Sequence, residues 1–102
     1  MNTNPITDAA AVSKVRQTGD HEWMVAGETY PDFSSAMNAA RSALAGEHAR
    51  ECEQRADELV AELGNEHYFG TVNGERRSPA GLREEATAYL RMALRFAMDA
   101  PR

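Results

Sequence analysis

Apolar residues recur at helical spacing through residues 34–63, a stretch of thirty residues that contains no proline. In the first half they occupy one helix face, formed by Ala36, Met37, Ala40 and Leu44. In the second half they occupy another face, formed by Cys52, Ala56, Leu59 and Leu63. The apolar stripe moves by roughly a quarter turn between the halves, and Gly46 lies where it moves. Because an internal glycine costs about 1 kcal/mol relative to alanine, we expect a bend or short break at residues 45–46.

The ends of this helix and the position of a second helix follow from capping signals. Ser34 can cap the first helix, and Gly64 tolerates the left-handed conformation that ends it. Ser78 and Pro79 predict the start of the second helix, because serine is a good N-cap and proline suits the first helical position. The apolar face of this helix comprises Leu82, Ala86, Tyr89, Leu90, Ala93, Phe96 and Ala97. Asp99 and Pro101 end it.

Shorter stretches alternate between apolar and polar residues and predict strands. They are residues 11–17, 22–26, 67–72 and 75–77, with a further short pairing at Tyr30. Residues 8–11 could begin a short helix, but the alternation through residues 12–16 favours a strand. Asn73-Gly74 lies between the last two strands and is the strongest short hairpin signal, because both positions tolerate positive φ.

This ββαββα order predicts an α+β fold in a single domain over residues 1–102, with residues 1–7 flexible. We expect one small antiparallel sheet with the two helices packed on one side of it.

The chain has 16 acidic and 11 basic residues, and its net charge of −5 argues against direct binding of nucleic acid. A single cysteine excludes an internal disulfide and is typical of a reducing compartment. With no long apolar run and no signal-peptide pattern, we expect a cytoplasmic protein that does not bind membranes.

Catalytic signatures are absent from the sequence, so we expect a protein that is not an enzyme and needs no cofactor. His48 and Cys52 are one helical turn apart and could be two metal ligands. A buried cysteine beside an edge histidine explains them better, and we expect no metal site. Glu51 and Glu53 flank Cys52 and would raise the pKa of its thiol, which argues against a nucleophile. The basic residues Arg76, Arg77 and Arg83 could bind an anion, but a solvated hairpin strand explains them better.

An acidic stripe follows the long helix and comprises Glu47, Glu51, Glu58 and Glu62, with Glu53 and Asp57 further round. Like charges four residues apart destabilise a helix slightly, so the stripe does not serve helix stability. It is either a solvated face or a docking surface for a partner protein with a basic surface.

Tyr68 and Phe69 are adjacent in a predicted strand and must point to opposite faces. They are therefore further candidates for partner binding, although a position in the core or a crevice is the stronger expectation.

The segment from Trp23 to Arg41 reads W-x-V-x-G-x-x-Y-x-x-F-x-x-A-x-x-A-A-R and resembles the ββα units of small bacterial and phage proteins. In size, acidity and layout the chain also resembles the anti-CRISPR class of small phage and mobile-element inhibitors. That resemblance implies a protein that blocks a nucleic-acid-binding complex by occupying a basic surface. Two alternatives stay open: a structural or regulatory homodimer that uses the exposed side of the long helix, and a small-ligand or metal-binding domain around His48 and Cys52. The protein is expected to be a monomer or a homodimer.

Overall fold

The computed structural model describes residues 4–101 and has the predicted α+β architecture. These described residues form three helices and five short strands. In order they are α1 (Asp8–Lys14), β1 (Arg16–Gly19), β2 (Glu22–Val25), β3 (Glu28–Tyr30), α2 (Phe33–Leu63), β4 (Gly70–Val72), β5 (Glu75–Arg77) and α3 (Pro79–Met98). The two long helices dominate the molecule and pack against each other.

The strands form two separate antiparallel sheets rather than the single sheet expected from the sequence. One has the order β1-β2-β3, and the other is the β4–β5 hairpin. The first sheet packs on the N-terminal half of α2, where Val25 joins a core cluster with Ala36 and Ala40. The hairpin packs near the other end of α2, where Val72 lies against Leu59. The sheets cannot pair with each other because the 31 residues of α2, about 46 Å of helix, separate them.

Helix α2 is continuous through Gly46, so the break considered at residues 45–46 does not occur. The apolar stripe moves because the helix changes its packing partner. Its first half faces the three-stranded sheet, α1 and the C-terminal end of α3, whereas its second half faces the N-terminal part of α3 and the hairpin. Asp32, rather than Ser34, is the N-cap, and its carboxylate accepts a hydrogen bond from the backbone N–H of Ser35 at 2.7 Å. Gly64 ends the helix with a φ of 75°, as the sequence predicts.

Helices α2 and α3 form an antiparallel hairpin with a heptad-like seam. Buried residues on α2 follow spacings of four and three at Ala45, Ala49, Cys52, Ala56 and Leu59. Their partners on α3 are Leu82 and Ala86, with Tyr89 half-buried beside them. At the other end, the Ser42 hydroxyl donates to the carbonyl of Ala93 at 2.7 Å. The many alanines let the two backbones approach closely and fix the register of the hairpin.

Helix α1 replaces part of the strand predicted over residues 11–17. Thr7 caps it by accepting a hydrogen bond from the N–H of Ala10, and Ala11 is fully buried against α2. The run of alanines from position 9 favours a helix more strongly than the alternation of Val12 with its charged neighbours favours a strand. Ile6 is also buried, so residues 6 and 7 belong to the fold rather than to a flexible segment. Positions 1–3 lie outside the described residues.

The molecule is elongated, with extents of 53 × 22 × 19 Å. Its radius of gyration is 16.3 Å, compared with about 13 Å for a typical compact domain of this length. The elongation follows from the single long helix hairpin with one small sheet at each end. Much of the side of α2 that faces away from α3 is therefore exposed beyond the edge of the three-stranded sheet.

Candidate functional site

A cleft of about 380 Å³ lies where the second half of α2, the β4–β5 hairpin and the first half of α3 meet. Glu51 and Glu58 of α2 form one wall, and Asn73 and Glu75 at the hairpin turn form another. Leu82 of α3 provides apolar surface within it. At the turn of the hairpin, Asn73 and Gly74 adopt positive φ angles of 53° and 82°, as predicted for the two-residue turn.

A cluster of titratable side chains lines this cleft. Donor atoms of His48, Cys52 and Glu85 all lie within 4.8 Å of one another. The Nε2 atom of His48 is 3.8 Å from Oε1 of Glu85, and its ring packs edge-on against Tyr89 with centroids 4.3 Å apart. His48 and Cys52 share a helix face, as the sequence predicts, whereas Glu85 comes from α3. The sequence could not place Glu85 because its position depends on the register of the helix hairpin.

Two charged residues, Glu51 and Arg77, contact this cluster from outside. Glu51 lies behind the imidazole of His48, with its carboxylate 3.7 Å from Nδ1. Arg77 of β5 donates a hydrogen bond to Oε2 of Glu85 and lies 3.8 Å from the carboxylate of Glu75. The two oxygens of Glu85 therefore have different partners: one faces arginine and the other faces histidine.

The thiol of Cys52 is not set up for nucleophilic catalysis. Burial raises its pKa, and the negative charges of Glu85, Glu51 and Glu53 raise it further, whereas Arg77 lowers it. The thiolate is the reactive form, so this environment reduces its reactivity at neutral pH. The pKa of Tyr89 is also raised, mainly by burial and then by Glu85. Cys52 is buried, and Glu51 and Glu53 help to raise the pKa of its thiol, as expected from the sequence.

The acidic stripe divides into one internally paired residue and three exposed residues. Glu47 is half-exposed and forms an ion pair with Lys14 of α1 at 2.7 Å. The side chains of Glu51 and Glu58 are 74% and 57% exposed, and Glu62 is exposed near the end of the helix. Glu58 accepts a hydrogen bond from Gln54 at 3.4 Å and lies 3.9 Å from Arg55, both on its own helix. We call Glu51, Glu58 and Glu62 the acidic face.

The acidic residues further round α2 are neutralised within the fold. Arg83 of α3 donates hydrogen bonds to Glu53, Asp57 and Glu66 at distances between 2.7 and 3.1 Å. Hydrogen bonds to these three carboxylates raise the pKa of Arg83 further. Arg77 is likewise paired with Glu85. Arg77 and Arg83 of the predicted basic cluster are therefore engaged in ion pairs, whereas Arg76 lies over the ring of Phe69.

Tyr68 and Phe69 are both exposed, which contradicts the stronger expectation that they belong to the core. They are 59% and 57% exposed, and they lie in the segment before β4 rather than in a strand over residues 67–72. The chain leaves strand geometry here because Asn65 forms a local turn, accepting a hydrogen bond from the N–H of His67 at 2.8 Å. The guanidinium of Arg76 lies 5.1 Å from the ring centroid of Phe69, a cation–π contact.

Helix α3 carries exposed apolar residues that the sequence analysis does not predict. Leu90, Leu94 and Met98 are 50%, 68% and 82% exposed. Leu90 was assigned to the buried face, but that face is narrower than predicted because the seam follows residues 82, 86 and 89. The sequence signal for this exposed stripe is the four-residue spacing of Leu90, Leu94 and Met98, which lie outside the buried seam.

Within residues 4–101, no helix has the combined length and apolar character needed to cross a membrane. The chain was compared with protein-family models, with curated proteins and with solved structures, and none of them matches it.

Proposed function

We propose that this chain is a non-enzymatic binding protein that docks its acidic face on a basic surface of a nucleic-acid-binding protein complex. In this proposal the protein is an inhibitor encoded by a phage or mobile element, as the resemblance to the anti-CRISPR class suggests. The observation that carries the proposal is the exposure of Glu51, Glu58 and Glu62 on one side of α2, while acidic residues on either side of them are paired within the fold.

Electrostatics support this use of the acidic face. Three carboxylates along a straight helix present a linear negative field, and such a field accelerates association with lysine- or arginine-rich surfaces. The elongated shape, 53 Å long, lets the face reach into a groove. A groove that binds the nucleic acid backbone is itself basic, so an acidic helix can compete for it.

The exposed aromatic pair supplies apolar contact area close to the end of the same helix. Phe69 directly precedes Gly70, and Gly70 is so close to α2 that an added Cβ would lie 2.7 Å from Leu59. Aromatic side chains contribute strongly to the binding energy at protein interfaces, whereas exposed charges mainly set the association rate. Tyr68 and Phe69 therefore complement the acidic face as a candidate contact surface.

The test is a comparison of three forms of the protein in affinity capture from host-cell extract. The docking variant carries Glu58→Lys and Glu62→Lys. The control variant carries Asp20→Lys and Glu84→Lys, which changes the net charge equally at exposed positions outside α2. We expect the parent and the control variant to capture the same partner in equal stoichiometry, and the docking variant to lose it. Equal capture by all three forms, or no capture by the parent, contradicts the proposal.

The apolar stripe of α3 favours a second candidate, a homodimer. Leu90, Leu94 and Met98 recur every four residues, and two copies of α3 packed antiparallel would cover them. This surface differs from the exposed side of α2 that the sequence suggested for a dimer. Light scattering across a concentration series distinguishes monomer from dimer. The homodimer is supported if the parent reaches the dimer mass and Leu94→Glu lowers it to the monomer mass. A constant monomer mass of the parent excludes the homodimer.

A further inference from the structure

We propose that His48, Cys52 and Glu85 form a binding site for a divalent transition-metal ion, best matched to Zn²⁺. The three side chains come from α2 and α3 and meet at the cleft beside the β4–β5 hairpin. Imidazole, thiolate and carboxylate are the three side-chain ligand types that zinc prefers. This site goes beyond the docking function and does not depend on it.

The separations of the donor atoms are close to those of a coordinated set. The three atoms lie within 4.8 Å of one another, and Nε2 of His48 is 3.8 Å from Oε1 of Glu85. Bond lengths of about 2.0–2.3 Å in a tetrahedral site place ligand atoms about 3.5 Å apart. Side-chain rotations that move the donors by about 1 Å therefore complete the set. The zinc ion would replace the thiol proton of Cys52 when it binds.

The outer contacts of these side chains are those expected around a metal site. Glu51 lies 3.7 Å from Nδ1 of His48, which leaves Nε2 directed toward Glu85. Arg77 binds Oε2 of Glu85 and leaves Oε1 for the metal. Ligating histidines commonly donate their second N–H to a carboxylate, and ligating carboxylates are themselves hydrogen-bonded. Both His48 and Glu85 therefore have a supporting partner already in place.

The charge and openness of the cleft also favour a cation. Four glutamates line it, Glu51, Glu58, Glu75 and Glu85, against two arginines, Arg55 and Arg77. Three protein ligands leave the fourth zinc position for a water molecule or for an incoming group, and the cleft of about 380 Å³ gives access to it. A site with three ligands and an open position differs from the closed four-ligand sites that only stabilise a fold.

The sequence alone did not support this site because only His48 and Cys52 were visible as a pair. Glu85 lies 33 positions after Cys52 and is one of sixteen acidic residues in the chain. Nothing in its spacing marks it as a ligand. Only the antiparallel packing of α2 on α3, with Cys52 and Ala86 in one core cluster, brings Glu85 to the other two side chains.

The experiment uses full-length protein freed of metal with a chelator and then titrated with zinc chloride or cobalt chloride. We expect one zinc ion per chain by calorimetry and a higher melting temperature with zinc than without it. With cobalt we expect thiolate-to-cobalt charge-transfer absorption. Cys52→Ala should abolish that absorption, and Glu85→Gln should weaken zinc binding by about tenfold or more while its amide oxygen can still accept from Arg77.

Glu84→Gln is the matched control, because it removes the carboxylate next to Glu85 on α3 from an exposed position that does not line the cleft. It should bind zinc with nearly the affinity of the parent. Circular dichroism checks that each variant is folded. Absence of stoichiometric zinc binding or of thiolate-to-cobalt absorption in the parent would overturn the proposal, whatever the variants do. Zinc binding that survives both Cys52→Ala and Glu85→Gln would overturn it as well.

Discussion

Nζ of Lys14 lies 2.7 Å from Oε1 of Glu47 and joins α1 to α2. This ion pair explains why one member of the predicted acidic stripe differs from the other three. Glu47 lies where α1 covers the long helix, whereas Glu58 and Glu62 lie beyond the covered part. The stripe is therefore continuous along the sequence, but in the fold Glu47 joins two helices whereas Glu58 and Glu62 are exposed.

The first prediction is that Glu47→Gln affects stability rather than partner binding. Both partners of the Lys14 ion pair are partly exposed, so its loss should lower the free energy of unfolding by only about 0.2–1 kcal/mol. Partner affinity should change less than it does for Glu58→Gln, which removes the same charge from the exposed part of the stripe. Chemical denaturation and a binding titration of both variants provide the comparison. A larger affinity loss for Glu47→Gln would place the docking surface nearer α1.

The second prediction concerns Gly46 in the middle of α2. The helix is continuous there, and an added Cβ would meet only the Arg50 guanidinium at an ordinary distance of 3.7 Å. Gly46→Ala should therefore raise the free energy of unfolding by about 0.5–1 kcal/mol, because alanine loses less backbone entropy in a helix. Urea denaturation measures the change. Destabilisation by alanine would mean that the helix needs the glycine for a bend.

The third prediction tests the β4–β5 turn. Gly74 has a φ of +82°, which β-branched side chains resist, so Gly74→Val should destabilise the fold by about 1–3 kcal/mol. Thr71→Val is the control, because it places the same side chain at an exposed strand position with ordinary geometry. Thermal unfolding should show a clear loss for the first variant and little change for the second. Equal melting temperatures for Gly74→Val and the parent would contradict the turn assignment.

The fourth prediction follows from the environment of Cys52. Burial, Glu85, Glu51 and Glu53 raise the pKa of the thiol above its ordinary value of 9.0, against the opposing effect of Arg77. The native state therefore holds the proton more tightly than the unfolded chain. The resulting stability is fully present below about pH 9 and is lost as the pH rises through the pKa of the folded state.

Unfolding free energies measured from pH 7 to pH 10.5 in the presence of a chelator check this dependence. Stability should fall over the alkaline part of the range, and Cys52→Ala should make the fall shallower because it removes the titrating group. Iodoacetamide should also modify the native thiol much more slowly than the unfolded one at pH 8. An identical alkaline slope in the alanine variant would show that other groups, such as Tyr89, account for it.

Local signals determined the parts of the fold that the sequence predicted well. Ser78-Pro79, Asn73-Gly74 and Gly64 each fix backbone geometry within a few residues, and each acts in the structure as predicted. The errors have local and tertiary causes. The run of alanines before Val12 outweighs the strand pattern, and the turn at Asn65 shortens the strand predicted over residues 67–72. The change of packing partner along α2 explains the shift of its apolar stripe without a break at Gly46.

In the candidate sites, residues aligned on one helix could be predicted from the sequence, whereas contacts between elements could not. Helical periodicity was enough to align Glu51, Glu58 and Glu62, because they belong to one element. Periodicity could not show that Arg83 neutralises Glu53 and Asp57, since this ion-pair network joins two helices and a loop. For the same reason it could not place Glu85 beside His48 and Cys52. The alignment of these residues on one helix face could be predicted, whereas contacts between elements required the structure.

The most direct test of the docking account is the association rate constant for the captured partner, measured by surface plasmon resonance at low and high salt. The parent and the Asp20→Lys/Glu84→Lys control should associate at similar rates that fall steeply as salt rises. The Glu58→Lys/Glu62→Lys variant should associate at least about tenfold more slowly at low salt and show a weaker salt dependence. Its unfolding free energy should stay within about 0.5 kcal/mol of the parent. Identical rate constants and salt dependence for both double variants would contradict the account.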